Sequence, residues 1–155
     1  MIKNNELKSE IENLFISPLK QIIDKNGKIM HMLKNDFDLF SSFGEIYFSI
    51  SNPGVIKGWH KHKKSTSNLA VIHGFVKLVL FDGRIKSKTK DKVQILNLSE
   101  INYYLITIPP GVWYSFKNIS KEKTIIANCS TLKYDEKECL KKRINDPSIP
   151  YFWDN

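Results

Sequence analysis

Arginine and cysteine are almost missing from this 155-residue chain. Cys129 and Cys139 are its only cysteines, too few for a disulfide scaffold and without the C-x-x-C spacing that zinc favours. No apolar run approaches the ~18 residues a membrane-spanning helix requires, and no apolar h-region follows a basic start. These absences predict a soluble, reduced, cytoplasmic protein with no membrane partner. Gly- or Ser-rich linkers and internal repeats are also lacking, so residues 1–155 read as one domain, long enough to bury a core without staples. Arg84 and Arg143 are the only arginines, so lysine supplies most of the 24 basic residues that stand against 16 acidic ones, a formal net charge of +8. Such a charge suits nucleic acid, an anionic membrane or a phosphorylated small molecule. The lysines are scattered instead of massed on one helix, which argues against a nucleic-acid groove.

What is present is a β-protein pattern. The chain is 41% apolar and 12% aromatic, in the range of folded globular proteins. Leu7, Ile11, Leu14 and Phe15 recur at helical spacing and predict one short N-terminal helix. After it come short segments rich in β-branched and aromatic residues, EIYFSI, NLAVIH, FVKLVLF, KVQILNL and YYLITI, separated by the turn signals NPG, DGR and PPG. Short strands between Gly and Pro turns predict a sandwich or barrel. Three parts follow: a helix and arm over 1–20, a barrel over 21–135, and a tail over 136–155 that opens with a helical turn and continues irregularly. His73-Gly74 reads as a two-residue hairpin turn. That hairpin would place Asn68, Ala70, Lys77 and Val79 on one face, and Leu69, Val71, Val76 and Leu78 on the other.

The stretch GWHKHKK, Gly58 to Lys64, carries two histidines one residue apart. Its surroundings match the first cupin motif, G-x5-H-x-H-x4-E-x6-G, at Gly54, His60, His62, Ser67 and Gly74. The second motif, P-x-G-x2-H-x3-N, falls on Pro109, Gly111, Tyr114 and Asn118. The resemblance implies an all-β fold, a cupin-type double-stranded β-barrel or jelly roll. Ser67 and Tyr114 stand where metal-binding cupins carry Glu and His, which leaves two imidazoles as the only ligands and predicts no metal.

From about Asp24 to Trp153 the chain resembles the dTDP-4-dehydrorhamnose 3,5-epimerase family of cupins. The likeness rests on DKNGKIMHML, SNPGVIKGWH, IPPGVWYSF and NDPSIPYFW. It implies a cofactor-free homodimer that acts on a nucleotide-diphosphate sugar, inverting C3, C5 or both in a 4-keto-6-deoxy sugar for surface polysaccharide. The 4-ketone acidifies the flanking C–H groups, and a histidine with a free pKa of about 6.5 suits their removal. The family's base matches His60, and its tautomer-fixing Asp matches Asp146, whose alternative reading is an ordinary Asp-Pro turn. The family lysine that steadies the enolate aligns with Asn68, and the reprotonating tyrosine aligns with Ala127. Lys77, on the predicted face of Asn68, is expected to have taken over the enolate oxygen, and Tyr134 or Tyr114 the acid role. Lys57 is expected to meet a diphosphate oxygen, and His62, Lys64, Asn68 and Tyr114 to complete the substrate site.

A second resemblance pulls toward the cupin 3,4-ketoisomerases of dTDP-4-keto-6-deoxyglucose. Their R-G-x-H-x-H-K-K is similar to KGWHKHKK, and their late Y-D-E to Tyr134-Asp135-Glu136. A third reading, motivated by Asn68 and Ala127, is a non-catalytic cupin that binds a sugar nucleotide. Trp59, Trp113 and Trp153 are expected to serve packing. From the metal-site substitutions, turnover is expected to persist in chelator. Elemental analysis showing one tightly held ion per chain, with activity lost on its removal, would contradict this.

Overall fold

The computed structural model describes residues 7–154. Its strands in chain order are β1 (Phe15–Pro18), β2 (Gln21–Asp24), β3 (Gly27–Met30), β4 (Glu45–Ser51), β5 (Ile56–His62), β6 (Ser67–His73), β7 (Phe75–Asp82), β8 (Val93–Ser99), β9 (Tyr104–Ile108), β10 (Val112–Asn118), β11 (Thr124–Ser130) and β12 (Cys139–Lys141). One five-stranded sheet has the order β1-β9-β6-β11-β4, and the other β12-β5-β10-β7-β8. A two-stranded ribbon, β2-β3, stands beside them. The all-β class agrees with the sequence reading. Hydrogen-bonded closure does not: no strand pair among the described residues joins the two five-stranded sheets.

Apolar residues on alternate positions of both sheets meet between them. Leu69, Val71, Ile106, Ile108 and Ile126 come from the first sheet, and Val76, Leu78, Leu80, Leu96, Leu98 and Phe116 from the second. Burial of this many branched and aromatic side chains at ~25 cal/mol per Å² is the main force holding the sheets face to face. The outer face of the second sheet is covered by the chain's end. There Trp59, Val79, Phe81 and Trp113 pack against Ile149 and Trp153, with Ile144 and Tyr151 alongside. Trp59 Nε1 donates to the Ile144 carbonyl at 2.7 Å, which ties the tail to β5. The three tryptophans therefore serve packing.

Three sequence expectations are corrected here. The predicted N-terminal helix is absent from the described residues, and Met1 to Glu6 lie outside them. Ile11 and Leu14 are buried in the inter-sheet core with Leu7 against it, so the apolar spacing records burial in an irregular arm. Asn13 sits at φ 61°, which a right-handed helix cannot contain. The amides of Glu10 and Glu12 donate instead to Gln94 Oε1 and Thr89 Oγ1, at 2.9 and 2.8 Å. Phe15 then opens β1, opposite Thr107.

The His73-Gly74 hairpin is the second correction, because β6 and β7 belong to different sheets. Gly74, at φ +81°, makes a corner where the chain leaves one sheet for the other. A Cβ there would come within 2.7 Å of Thr124 Cγ2, so the corner demands glycine on two counts. Leu69, Val71, Val76 and Leu78 do share the inter-sheet core. Asn68 and Lys77, however, occupy the outer faces of two different sheets. The third correction is in the tail: after one turn closed by Cys139 N–H to the Asp135 carbonyl at 3.3 Å, the chain adds β12 to the edge of β5.

Candidate active site

Toward one end of the sandwich the inter-sheet side chains become polar and leave a cavity of about 460 Å³. Its floor is apolar, formed by Leu69, Phe116 and Ile126 of the core. One wall comes from the second sheet and presents Lys57, His60, His62, Tyr114 and Lys141. The opposite wall, from β4 and β11, presents Glu45, Tyr47, Ser49 and Asn128. The segment after β11 closes one side with Lys133, Tyr134 and Asp135. An apolar pocket of this size with a few convergent polar groups is the usual form of a small-molecule site.

A β-bulge places Lys57. Tyr114 pairs with His60 and Phe116 with Lys57, so Ser115 of β10 stands opposite two residues of β5, Gly58 and Trp59. Strand alternation alone would send Lys57 to the face opposite His60; the extra residue turns both into the cavity. Lys57 Nζ donates to Ser49 Oγ at 2.7 Å and to the Ile50 carbonyl at 3.0 Å, reaching across to the other wall.

His62 is the better anchored of the two histidines. Its Nδ1 lies 2.6 Å from Glu138 Oε2, and a carboxylate can only accept, so Nδ1–H is the donor. Nε2 stands 3.4 Å from Tyr114 Oη. Glu138 Oε1 accepts the amides of Lys64 and Ser65 at 2.7 and 2.8 Å. Burial would push the Glu138 carboxyl up, but these amides and His62 outweigh it and hold it below the ordinary carboxylate range. The Tyr114 phenol is pushed far up by burial, with Tyr47 and Cys139 adding to the effect.

His60 is half-buried, and its ring lies 6.0 Å from that of Tyr114 between centroids. Burial is the main cause that lowers its pKa below that of a free imidazole, followed by the positive charge of Lys141, by His62 and by Lys57. Lys141 is its register partner on β12. His60 is therefore a neutral imidazole at neutral pH, able to accept a proton, with cations beside it.

Of the sequence-predicted residues, the structure brings Lys57, His60, His62, Tyr114 and Tyr134 to one cavity. It does not bring Asp146, Lys77, Lys64 or Asn68 there. Asp146 belongs to the tail on the outer face of the second sheet, where its carboxylate accepts from Ser148 and lies 3.5 Å from Lys142 Nζ. Lys77 is on that same outer face, paired with Lys117 and Asn97 on the flanking strands. Lys64 contributes its amide to Glu138 from an exposed position. Asn68 is buried outside the cavity, donating to the Cys129 carbonyl at 3.0 Å and accepting from Thr107 at 2.9 Å. Ala127 is likewise turned away, while its neighbour Asn128 faces in. Sequence reasoning missed Tyr47, Asn128, Glu138 and Lys141. The signal for Tyr47 was there: in EIYFSIS the polar stripe Glu45-Tyr47-Ser49 alternates with Ile46-Phe48-Ile50. Among the described residues no group of three or more His, Cys, Asp or Glu gathers to hold a metal.

With this geometry in view, the comparisons with known proteins are specific. Residues 8–155 match the family model described as dTDP-4-dehydrorhamnose 3,5-epimerase. The spore coat polysaccharide biosynthesis protein SpsL of Bacillus subtilis is 30% identical over 145 residues, covering 92% of this chain and 96% of that protein. The crystal structure of a dTDP sugar isomerase from Desulfovibrio desulfuricans superposes with a TM-score of 0.90 at 38% identity, covering 92% of each chain. NovW, a 4-keto-6-deoxy sugar epimerase of Streptomyces spheroides, shares the fold at a TM-score of 0.84 and 19% identity, covering 96% of this chain and 78% of its own. The chain belongs to the dTDP-4-dehydrorhamnose 3,5-epimerase family and is, with it, an isomerase of the nucleotide-sugar epimerase type.

The charge on Lys141 gives a direct handle on His60. A base acts in its neutral form, so the acid limb of activity falls as pH drops through the His60 pKa, which lies below the free value. In Lys141→Met the imidazolium is less disfavoured, and that pKa should move up toward ~6.5. NMR titration of the His60 ring protons in wild type and variant reads this directly. An unchanged or lowered pKa would contradict the electrostatic account.

Proposed function

We propose that the cavity binds a nucleoside-diphosphate 4-keto-6-deoxy sugar and that His60 removes the proton at C3 or C5 to form an enolate, in the synthesis of a surface polysaccharide. The observation that carries this reading is the His60 imidazole facing a cavity that also holds Lys57, Lys133 and Lys141. The base takes the proton from carbon, and the electron pair moves onto the ketone oxygen. Lys141, beside His60, is the cation placed to meet that oxygen, the role first expected of Lys77. One positioned donor to such an oxyanion is worth about 2.7–4 kcal/mol. Lys57 and Lys133 remain for the diphosphate. The fold reads as the cupin architecture with its two sheets left unjoined, and residues 1–155 as one such domain. No cofactor is needed for this chemistry, since the substrate's own ketone is the electron sink.

A second reading rests on one specific feature: the Glu138–His62 pair beside His60 supplies two imidazoles to one cavity, as a 3,4-ketoisomerase would require. Deuterium from D2O separates the two. Epimerisation labels C3 or C5 of the product, and ketoisomerisation labels C4. His60→Asn is expected to slow exchange of the α-proton by ~10²–10⁴-fold with little change in substrate affinity. Exchange at the wild-type rate in that variant would remove His60 from the mechanism.

We also assign a homodimer and a cytoplasmic site of action. Both cysteines are unpaired, which suits a reducing compartment. No described helix is long and apolar enough to cross a membrane. On β4, an edge strand, the outward Ile46, Phe48 and Ile50 are 50%, 57% and 55% exposed. An apolar stripe on an open edge calls for cover, and a second copy of the chain supplies it. Phe48→Lys is expected to shift the sedimentation coefficient from dimer to monomer at micromolar concentration. A wild-type protein that is already monomeric there would contradict the assignment.

A further inference from the structure

Inverting a carbon next to a ketone requires a proton to leave on one face and another to arrive on the opposite face. With His60 as the base, the second proton must come from the other wall of the cavity. Tyr114 cannot supply it. It is the direct strand partner of His60 and stands on the same sheet. Tyr134 lies beyond the end of β11, exposed, with no side-chain hydrogen bond among the described residues.

The wall opposite His60 holds one phenol on a strand. Tyr47 of β4 lines the cavity beside Glu45 and Ser49. Its Cα partner on β11 is Asn128, which also faces the cavity, and Asn128 Nδ2 donates to Tyr47 Oη at 2.5 Å. That bond occupies a lone pair of the phenol oxygen and leaves the O–H as a donor, and burial holds the phenol above its ordinary pKa and so protonated. It also supports the phenolate once the proton has gone. Ser49 and Ser130, the alcohols of the same wall, are far weaker acids than a phenol, whose pKa is about 10, and Ser49 already accepts from Lys57.

We propose that Tyr47, held by Asn128, is the general acid that reprotonates the enolate carbon on the face opposite His60. The inference rests on the epimerase reading above. The step balances: the enolate's electron pair forms the new C–H bond with the phenolic proton, the ketone is restored, the Tyr47 phenolate regains a proton from solvent, and His60 returns its proton to solvent.

Tyr47→Phe removes one oxygen and separates the two half-reactions. Incubated with a nucleoside-diphosphate 4-keto-6-deoxy sugar in D2O, the variant should lose inversion by ~10²–10⁴-fold. Deuterium should still wash into recovered, uninverted substrate at close to the wild-type rate, because His60 still removes the proton and returns a deuteron on its own face. Inversion at the wild-type rate in Tyr47→Phe would overturn the proposal. So would equal loss of inversion and wash-in, which would place Tyr47 in binding or folding instead. His60→Asn should lose both, so failure of the base and failure of the acid are distinguishable. A wild-type protein that exchanges no proton from any such sugar overturns the epimerase reading and the acid together.

Discussion

The inter-sheet apolar core is the constraint from which the site follows. Leu69, Val71, Ile106, Leu78, Leu80 and Phe116 interlock between two sheets and fix their separation at the ~10 Å that facing sheets adopt. Where that core stops, the same alternating positions carry Tyr47, Asn128, His60, His62 and Tyr114, and the constant separation becomes a cavity with two independent walls. The groups proposed to address opposite faces of one substrate carbon thus begin on opposite sheets.

Electrostatics refine this frame. The bulge in β5 brings Lys57 to the His60 face, and β12 adds Lys141 beside it. Two cations near a half-buried imidazole lower its affinity for a proton and simultaneously prepare the space for an anion, which suits both the proposed base and the proposed enolate. Glu138 has a different task. It binds the amides of Lys64 and Ser65 and the imidazole of His62 at once, so the loop after β5, the start of β12 and one histidine are held as a unit. Breaking that carboxylate's contacts would leave two amides without their acceptor at the cavity rim.

The parts of this protein legible in its sequence are those set by local pattern. Strands such as Phe75–Asp82 announce themselves by composition, and the motif spacing brought His60, His62 and Tyr114 to one cavity. What the sequence hid depends on pairing between distant strands. The Gly74 corner looks like a hairpin turn until β6 and β7 are seen to join different sheets, and this error alone moved Lys77 to the wrong face. Asp146 matched a family position by motif yet lies behind the sheet that carries His60. The carboxylate that meets a histidine of the cavity, Glu138, sits 76 residues from its partner, and no local signal marks it. Alternation failed at Lys57 because a bulge is invisible without the partner strand. In β4 the alternation was legible but inverted: the apolar stripe faces out and the polar stripe faces the cavity, the opposite of a strand on an ordinary core.

The proposed place of the reacting sugar is between the His60 wall and the Tyr47 wall. A crystal structure with a nucleoside-diphosphate 6-deoxy sugar that lacks the 4-ketone, and so cannot react, tests this most directly. The predicted result is the sugar ring inside the cavity, with C3 or C5 within about 3–3.5 Å of a His60 nitrogen and Tyr47 Oη across the ring from it. A sugar ring bound outside this cavity, or lying with both faces away from His60, would contradict it.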